Sequence, residues 1–145
     1  MSNNDYRDSR ENKNQNNNVV RKEILKLDSK TYVRQAEKVI KSLKNENKKN
    51  ISSNQLRNIL ILFNEVNYII QHETDKKLSD DLQSRTQYIK MRIAYNAGKE
   101  PSVRKFINDS KIMDYLDLVG ESRDELVLVC KYMESLVAYH KFYNL

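Results

Sequence analysis

Hydrophobic residues recur at three- and four-residue steps through most of this chain, which is the spacing of one face of an α-helix. The first such segment begins at about Ser29, and Asp28 or Ser29 is placed to cap its first turn. Its apolar positions are Tyr32, Val33, Ala36, Val39, Ile40 and Leu43. The polar stretch 44–50 then interrupts the pattern and predicts a loop.

The second helical segment is apolar on nearly every side. It begins at Ser52 or Ser53, either of which can cap free backbone N–H groups, and runs to about His72. One side carries Leu56, Ile59, Leu60, Phe63, Val66 and Ile70, and much of the other carries Ile61, Leu62, Tyr68 and Ile69. Because a helix that is hydrophobic all round is normally enclosed, we expect this helix in the middle of a bundle.

The third helical segment runs from about Ser79 to Ala97, and Gly98 follows as an expected left-handed cap. A polar and aromatic row lies beside its apolar stripe within an arc of about 80° on a helical wheel. The row consists of Arg85, Tyr88, Arg92, Asn96 and Lys99.

The rest of the chain predicts two short helices, at 102–108 and 111–119, and a last helix from about Ser122 to Tyr143. Asp109 or Ser110 is the expected cap of the second short helix. Two glycines and one proline in 145 residues are too few for a fold rich in tight turns. We therefore predict an all-α fold, a compact bundle of about five helices over residues 23–145, after a disordered Asn-rich tail at 1–22.

The net charge of +6 invites a nucleic-acid interpretation, but it is unevenly distributed. Residues 1–50 carry 13 Lys and Arg against 7 Asp and Glu, whereas residues 51–145 carry 13 of each. A nucleic-acid surface on the folded part must therefore be a local patch. Arg85, Arg92 and Lys99 repeat every seven residues and are the best candidates. The neighbouring Tyr88 and Tyr95 either stack on bases or pack at the bundle edge, and the row is alternatively a solvated face.

Candidates for catalysis are scarce. Cys130 and His140 fall on the apolar face of the last helix, so we interpret both as core residues. One cysteine and two distant histidines give no zinc-site spacing, and acids near helix starts complement the helix dipole. We expect a non-enzyme without cofactor or metal. A single cysteine and the lack of any apolar run of about 20 residues favour a soluble protein of the reducing cytoplasm.

Four blocks carry a resemblance to a known family. They are 52–60 (SSNQLRNIL), 95–99 (YNAGK), 130–139 (CKYMESLVAY) and the first-helix segment 32–38 (YVRQAEK). Together they resemble the small subunit of the type III-A CRISPR (Csm) effector complex, over about residues 32–143. The Asn-rich tail lies outside this similarity.

The resemblance implies a non-catalytic helical bundle for antiviral and anti-plasmid defence. Several copies would stack along a ribonucleoprotein, contacting the guide (CRISPR) RNA, the target RNA, each other, and the backbone and large subunits of the Csm complex. Cleavage would belong to those other subunits. The alternative is a purely protein–protein scaffolding subunit without direct RNA contact.

By motif position, the resemblance also implies which residues bind RNA. Lys99 stands where an arginine usually follows Ala-Gly, and His140 stands where an aromatic residue is usual. Lys90 lies well round the third helix from Arg85 and Arg92, so the implied residues do not share one flat surface. The full set is Gln55, Arg57, Arg85, Lys90, Arg92, Lys99, Arg104, Lys131 and Lys141.

Overall fold

Six helices and short connections make up most of residues 26–46 and 49–145, the part of the chain that this computed structural model describes. The predicted tail at 1–22 lies outside these residues. The helices are α1 (Tyr32–Lys44), α2 (Ser53–Ile70), α3 (Asp80–Lys99), α4 (Pro101–Ser110), α5 (Ile112–Val119) and α6 (Arg123–Phe142). Within the described ranges there is no strand, so the predicted all-α class is confirmed, with a helix count close to the expected five.

Serine side chains start the three long helices, as the sequence predicts. The Ser52 hydroxyl accepts the Gln55 backbone N–H at 3.1 Å, and Gln55 Oε1 accepts the Ser52 N–H at 3.0 Å. This reciprocal pair is a capping box. Ser79 and Ser122 make the corresponding single bond at the starts of α3 and α6. Each cap pairs a backbone donor that the helix itself leaves free.

Helix α1 begins three residues later than predicted, and neither Asp28 nor Ser29 caps it. The Asp28 carboxylate accepts the Lys30 N–H at 2.7 Å, and the Asp28 carbonyl accepts the N–H groups of Thr31 and Tyr32. Asp28 therefore forms a local turn ahead of the helix, which is the competing use of an aspartate side chain.

The predicted left-handed cap at Gly98 is wrong, because Gly98 lies within α3. The helix continues to Lys99, and Glu100 is extended, with φ −122° and ψ 113°. Pro101 explains this end point, since a proline disfavours helical geometry in the residue before it. Pro101 is then the first residue of α4, where its missing N–H costs no helical hydrogen bond.

The junction between α4 and α5 depends on one left-handed residue, Lys111, with φ 59° and ψ 24°. The predicted cap at Asp109 or Ser110 is wrong, because Lys111 is the cap residue of α5 and makes no side-chain cap bond. The Ser110 hydroxyl nevertheless accepts the Ile112 N–H at 3.4 Å. The Ser110 carbonyl in turn accepts the Tyr132 hydroxyl at 2.9 Å. The turn between the two short helices is thus held against α6.

Helix α6, rather than α2, is at the centre of the bundle. It contacts α1, α2 and α5, and Leu126, Met133 and Leu136 are fully buried on it. Helix α2 packs between α3 and α6 but leaves an outer face, on which Ile61 is 50% and Tyr68 is 70% exposed. The expectation of a central α2 was wrong because its second apolar side faces outward.

Arg123 fixes the connection between α2 and α3. Its guanidinium donates to the carbonyls of Glu73 at 2.8 Å and Ile70 at 3.2 Å, at the end of α2. Its backbone N–H donates to the Lys76 carbonyl at 3.0 Å. A cation here pairs carbonyls that the helix end leaves free and complements the helix dipole. The α2–α3 connection is therefore fastened to the start of α6.

In the ranges that the structure describes, no helix combines the length and apolar composition needed to cross a membrane.

Candidate nucleic-acid interface

The predicted basic row lies on the flank of α3 that borders α2. Arg85 and Tyr88 line a groove together with Leu62 and Glu65 of α2. Arg92 and Lys99 follow Arg85 at seven-residue spacing, so they project along the same flank. The row is therefore continuous with the outer face of α2.

We give the name Tyr95 cluster to Arg92 and Lys99, in the C-terminal half of this row, together with the neighbouring Tyr95. The Arg92 guanidinium carbon lies 5.7 Å and Lys99 Nζ lies 5.4 Å from the centre of the Tyr95 ring. Both distances are in the range of cation–π attraction. Across residues 26–46 and 49–145, no acid forms an ion pair with either cation. The positive charge of the cluster is therefore available to a partner.

The N-terminal half of the row is different, because Arg85 already has an acidic partner. Arg85 Nε donates to Asp81 Oδ2 at 2.9 Å, one helical turn earlier. Both side chains are exposed, so the pair is weak in water, but a phosphate must still compete with Asp81 for Arg85.

Lys90 lies on the opposite flank of α3, as predicted from the helical wheel. Its ammonium group forms an ion pair with Asp117 of α5. The Lys90 side chain is only 24% exposed. This contact links α3 to α5 and separates Lys90 from the row on the other flank.

Arg57 and Lys141, which are 84 positions apart in the sequence, meet in one depression between α2 and the end of α6. The depression has a volume of about 380 Å³, and Leu60, Val137 and His140 also line it. Two cations beside apolar walls suit an anion better than a neutral ligand. The structure thus brings together two residues that the sequence predicted separately as RNA-binding positions.

Gln55 belongs to a different environment, although it is two residues from Arg57. Its Oε1 accepts the Ser52 N–H and also the Ser102 hydroxyl of α4, at 3.1 Å. This oxygen holds the start of α2 against the start of α4, so it is already occupied in the fold.

Arg104 and Lys131 lie in two further depressions, separate from the α2–α3 flank. Arg104 lines one of about 750 Å³ beside Lys105, which pairs with Glu46 at 2.6 Å and Asp109 at 2.7 Å. Lys131 lines another of about 440 Å³ that also contains Asp124 and Glu125. Nearby acids reduce the attraction of both places for phosphate.

The nine residues therefore divide into two groups. One group lies along the two edges of α2: Arg85, Arg92 and Lys99 on α3, and Arg57 of α2 itself together with Lys141 of α6. We call these five residues the α2-flanking cations. The other four, Gln55, Lys90, Arg104 and Lys131, contact other parts of the molecule.

Cys130 and His140 are both buried, which confirms their interpretation as core residues. Burial raises the pKa of the Cys130 thiol to about 12, so it stays protonated and is a poor nucleophile at neutral pH. His140 Nε2 lies 2.9 Å from the Ile51 carbonyl oxygen. Since a carbonyl only accepts, Nε2 carries the hydrogen of this bond. Among the described residues, no group of three or more His, Cys, Asp and Glu is placed to hold a metal ion.

The model of the Csm2 family of type III-A CRISPR systems matches residues 26–145, which include all six helices. This chain belongs to that family. The resemblance to the Csm small subunit is thereby confirmed. The family match covers the α2-flanking cations and the Tyr95 cluster alike.

Three relatives, each named "CRISPR system Cms protein Csm2", show the extent of the Csm2 similarity. One from Mycobacterium tuberculosis (strain CDC 1551 / Oshkosh) is 37% identical over 112 residues, covering 77% of this chain and 90% of the relative. One from Streptococcus thermophilus is 32% identical over 120 residues, covering 81% and 95%. One from Enterococcus italicus (strain DSM 15952 / CCUG 50447 / LMG 22039 / TP 1.5) is 36% identical over 97 residues, covering 66% and 69%.

Sequence reasoning missed two features of this Csm2 surface. The competition of Asp81 for Arg85 is readable in principle, because an acid four residues before an arginine is a familiar helical ion pair. The exposure of Ile61 and Tyr68 on α2 has no comparable local signal, since it depends on which helices pack around α2.

Proposed function

We propose that this Csm2-family chain is a non-catalytic RNA-binding subunit of the type III-A CRISPR interference complex. Several copies stack in the cytoplasm with the backbone and large subunits and contact the backbones of guide RNA and target RNA, in defence against viruses and plasmids. The observation that carries the proposal is the set of α2-flanking cations, with Arg85, Arg92 and Lys99 in a row along α3 and with Arg57 and Lys141 in one depression between α2 and α6.

Backbone contact fits these rows better than sequence readout does. Arginine and lysine side chains at repeated spacing match a repeating line of phosphates and carry no base information. In an RNA-guided complex, base pairing between guide and target supplies the sequence specificity. Because several copies act together, weak contacts in each copy add up to strong binding along the RNA.

The second candidate is a purely protein–protein scaffolding subunit. It is favoured by large apolar side chains on the surface, since Ile61, Met91 and Phe142 are 50%, 53% and 71% exposed. A neighbouring subunit that covered these side chains would remove their apolar surface from water. Under this alternative, the α2-flanking cations would pair with acids of a neighbouring subunit.

Charge reversal separates the two candidates. We would express the native operon with Arg57→Glu, Arg85→Glu and Arg92→Glu together, purify the complex, and measure target-RNA affinity at several salt concentrations. The proposal predicts at least about a tenfold loss of affinity, and a salt dependence shallower by roughly one unit of log–log slope for each lost phosphate contact. Subunit stoichiometry, measured by native mass spectrometry, should stay unchanged.

The matched control is the triple reversal of Lys30, Arg34 and Lys38, which makes the same charge change on exposed positions in or just before α1. Helix α1 packs on α6 and α4, away from the α2–α3 flank. The control should leave RNA affinity nearly unchanged. If the α2-side reversal keeps both affinity and salt dependence while subunits are lost, the scaffolding alternative is correct and the RNA proposal is wrong.

The non-catalytic part of the proposal has its own test. Purified subunit incubated with labelled RNA and Mg²⁺ should leave the RNA intact. Specific cleavage that disappears on substitution of one residue of this chain would contradict it.

A further inference from the structure

We propose that the Tyr95 cluster is a stacking site for an unpaired RNA nucleotide, with the base on the Tyr95 ring and the adjoining phosphates on Arg92 and Lys99. The inference rests on the proposed RNA-binding function and deepens it. It identifies the place on the subunit where a base, rather than only the backbone, makes contact.

The Tyr95 ring is exposed at the surface of the bundle. The residue is 55% exposed on a regular helix, and its hydroxyl forms no hydrogen bond within the described residues. The core of the bundle is complete without it, since Leu82, Ile89 and Ile93 fill the buried stripe of α3. The ring is therefore open to solvent at the edge of the bundle, where a stacking base would replace a cation on the ring face.

Two cations lie close to the Tyr95 ring. Arg92 is three residues before Tyr95 and Lys99 is four residues after it, so all three side chains meet on one side of the helix. An aromatic face flanked by unpaired cations combines the two contacts that single-stranded nucleic acid requires, stacking for bases and positive charge for phosphates. An acidic protein surface would satisfy the cations but would give the ring no comparable partner.

Tyr88 lies on the same flank and is 51% exposed, but its surroundings differ from those of Tyr95. Within the described chain, no cation lies over its ring, and the groove that it lines contains the acid Glu65 as well as Arg85. The acid weakens the attraction of this groove for phosphate. Two tyrosines of similar exposure on one helix therefore differ in the feature that points to a nucleotide.

The kind of nucleotide follows from the geometry of stacking. Bases inside a duplex stack on each other, so a side chain can stack only on a base that is single-stranded or turned out of the helix. The Tyr95 cluster should therefore recognise an unpaired nucleotide, whereas Arg57 and Lys141 can contact the phosphates of paired RNA as well.

The experiment compares Tyr95→Leu, Tyr95→Phe and Tyr88→Leu in the purified guide-loaded complex. Target RNAs carry the fluorescent base 2-aminopurine at successive positions, and both affinity and fluorescence quenching are measured. Tyr95→Leu should weaken target binding by about fivefold to a hundredfold, the usual effect of losing one stacked base, and should remove quenching at particular positions. Tyr95→Phe, which keeps the ring, and Tyr88→Leu should both stay within about twofold of the unchanged complex.

Two results would overturn the inference. One is unchanged affinity and quenching in Tyr95→Leu; if the Arg57, Arg85 and Arg92 reversal still lowers affinity, only the stacking site falls and the RNA-binding function stands. The other is a loss of subunits from the Tyr95→Leu complex without a change in quenching, which would make Tyr95 a protein contact. Thermal unfolding of the free subunit checks that Tyr95→Leu folds as the unchanged chain does.

Discussion

Helices α3 and α6 are both 20 residues long, and each places polar side chains beside an apolar stripe. In α6 these polar groups point inward: the Tyr132 hydroxyl donates to the Ser110 carbonyl and His140 Nε2 donates to the Ile51 carbonyl, each at 2.9 Å. In α3, Arg92 and Lys99 instead gather around an exposed tyrosine ring. The buried polar residues Tyr132 and His140 of α6 thus hold the fold, whereas Arg92 and Lys99 of α3 remain available to a partner.

The difference arises from what surrounds each helix. Helix α6 is enclosed by α1, α2 and α5, so any polar atom on its buried side must find an internal hydrogen-bond partner. The flank of α3 that borders α2 is open to solvent, so its cations stay hydrated until a ligand binds. Similar residue patterns on two helices therefore have different roles, and three substitutions test this contrast.

The largest expected effect is on α6. Leu136→Ala removes a side chain with no exposed surface and should lower the free energy of unfolding by about 3 kcal/mol. Met91→Ala on α3, where the side chain is 53% exposed, should change it by less than about 0.5 kcal/mol. Urea unfolding followed by circular dichroism measures both values. Equal decreases in the free energy of unfolding for the two variants would contradict the difference between the helices.

An intermediate effect is expected for the buried hydrogen bond of Tyr132. Burial raises the pKa of this hydroxyl, so it stays protonated and able to donate at every pH at which the fold is studied. Tyr132→Phe leaves the Ser110 carbonyl unpaired and should cost about 1–2 kcal/mol of unfolding free energy. Tyr88→Phe on the exposed flank of α3 is the matched control and should cost almost nothing. If Tyr132→Phe left the free energy of unfolding unchanged, the inward polar groups of α6 would be dispensable for stability.

The smallest expected effect is on the Tyr95 cluster. Lys99→Arg replaces a point charge by a planar guanidinium that can hold a phosphate with two hydrogen bonds. We expect target-RNA affinity of the assembled complex to rise about twofold to threefold. This rise corresponds to a fraction of the free energy of one hydrogen bond to a charged group. Stability should not change, and Lys38→Arg on α1 should alter neither quantity. Weaker RNA binding by Lys99→Arg would contradict a phosphate contact at this position.

The sequence predicts much of this fold because the starts of the three long helices depend on local chemistry. Ser52, Ser79 and Ser122 each cap the helix that the apolar spacing suggests. The errors occur where a local rule has a competitor: Asp28 forms its own turn, and Pro101 rather than Gly98 ends α3. The central position of α6 depends on the packing of distant segments, for which residue spacing gives no direct signal.

The candidate site divides in the same way. The seven-residue spacing of Arg85, Arg92 and Lys99 is enough to place them on one flank of α3. Arg57 and Lys141 come together only when α2 packs against α6. The pairing of cations with acids of other helices likewise depends on how the helices pack. Sequence alone therefore predicts rows along one helix but not surfaces shared between helices.

The enclosed position of α6 has a consequence for how the chain folds during synthesis. Helix α1 finds its main partner far along the sequence: Glu37 accepts the hydroxyl of Tyr143, 106 residues later, at 2.7 Å. At ordinary translation rates, about 5–20 s separate the synthesis of these two segments. Through that interval the apolar face of α1, with Ala36, Ile40 and Leu43, has yet to meet its eventual partner. The bundle can therefore close only after α6 has been made, so the fold completes late in synthesis rather than helix by helix.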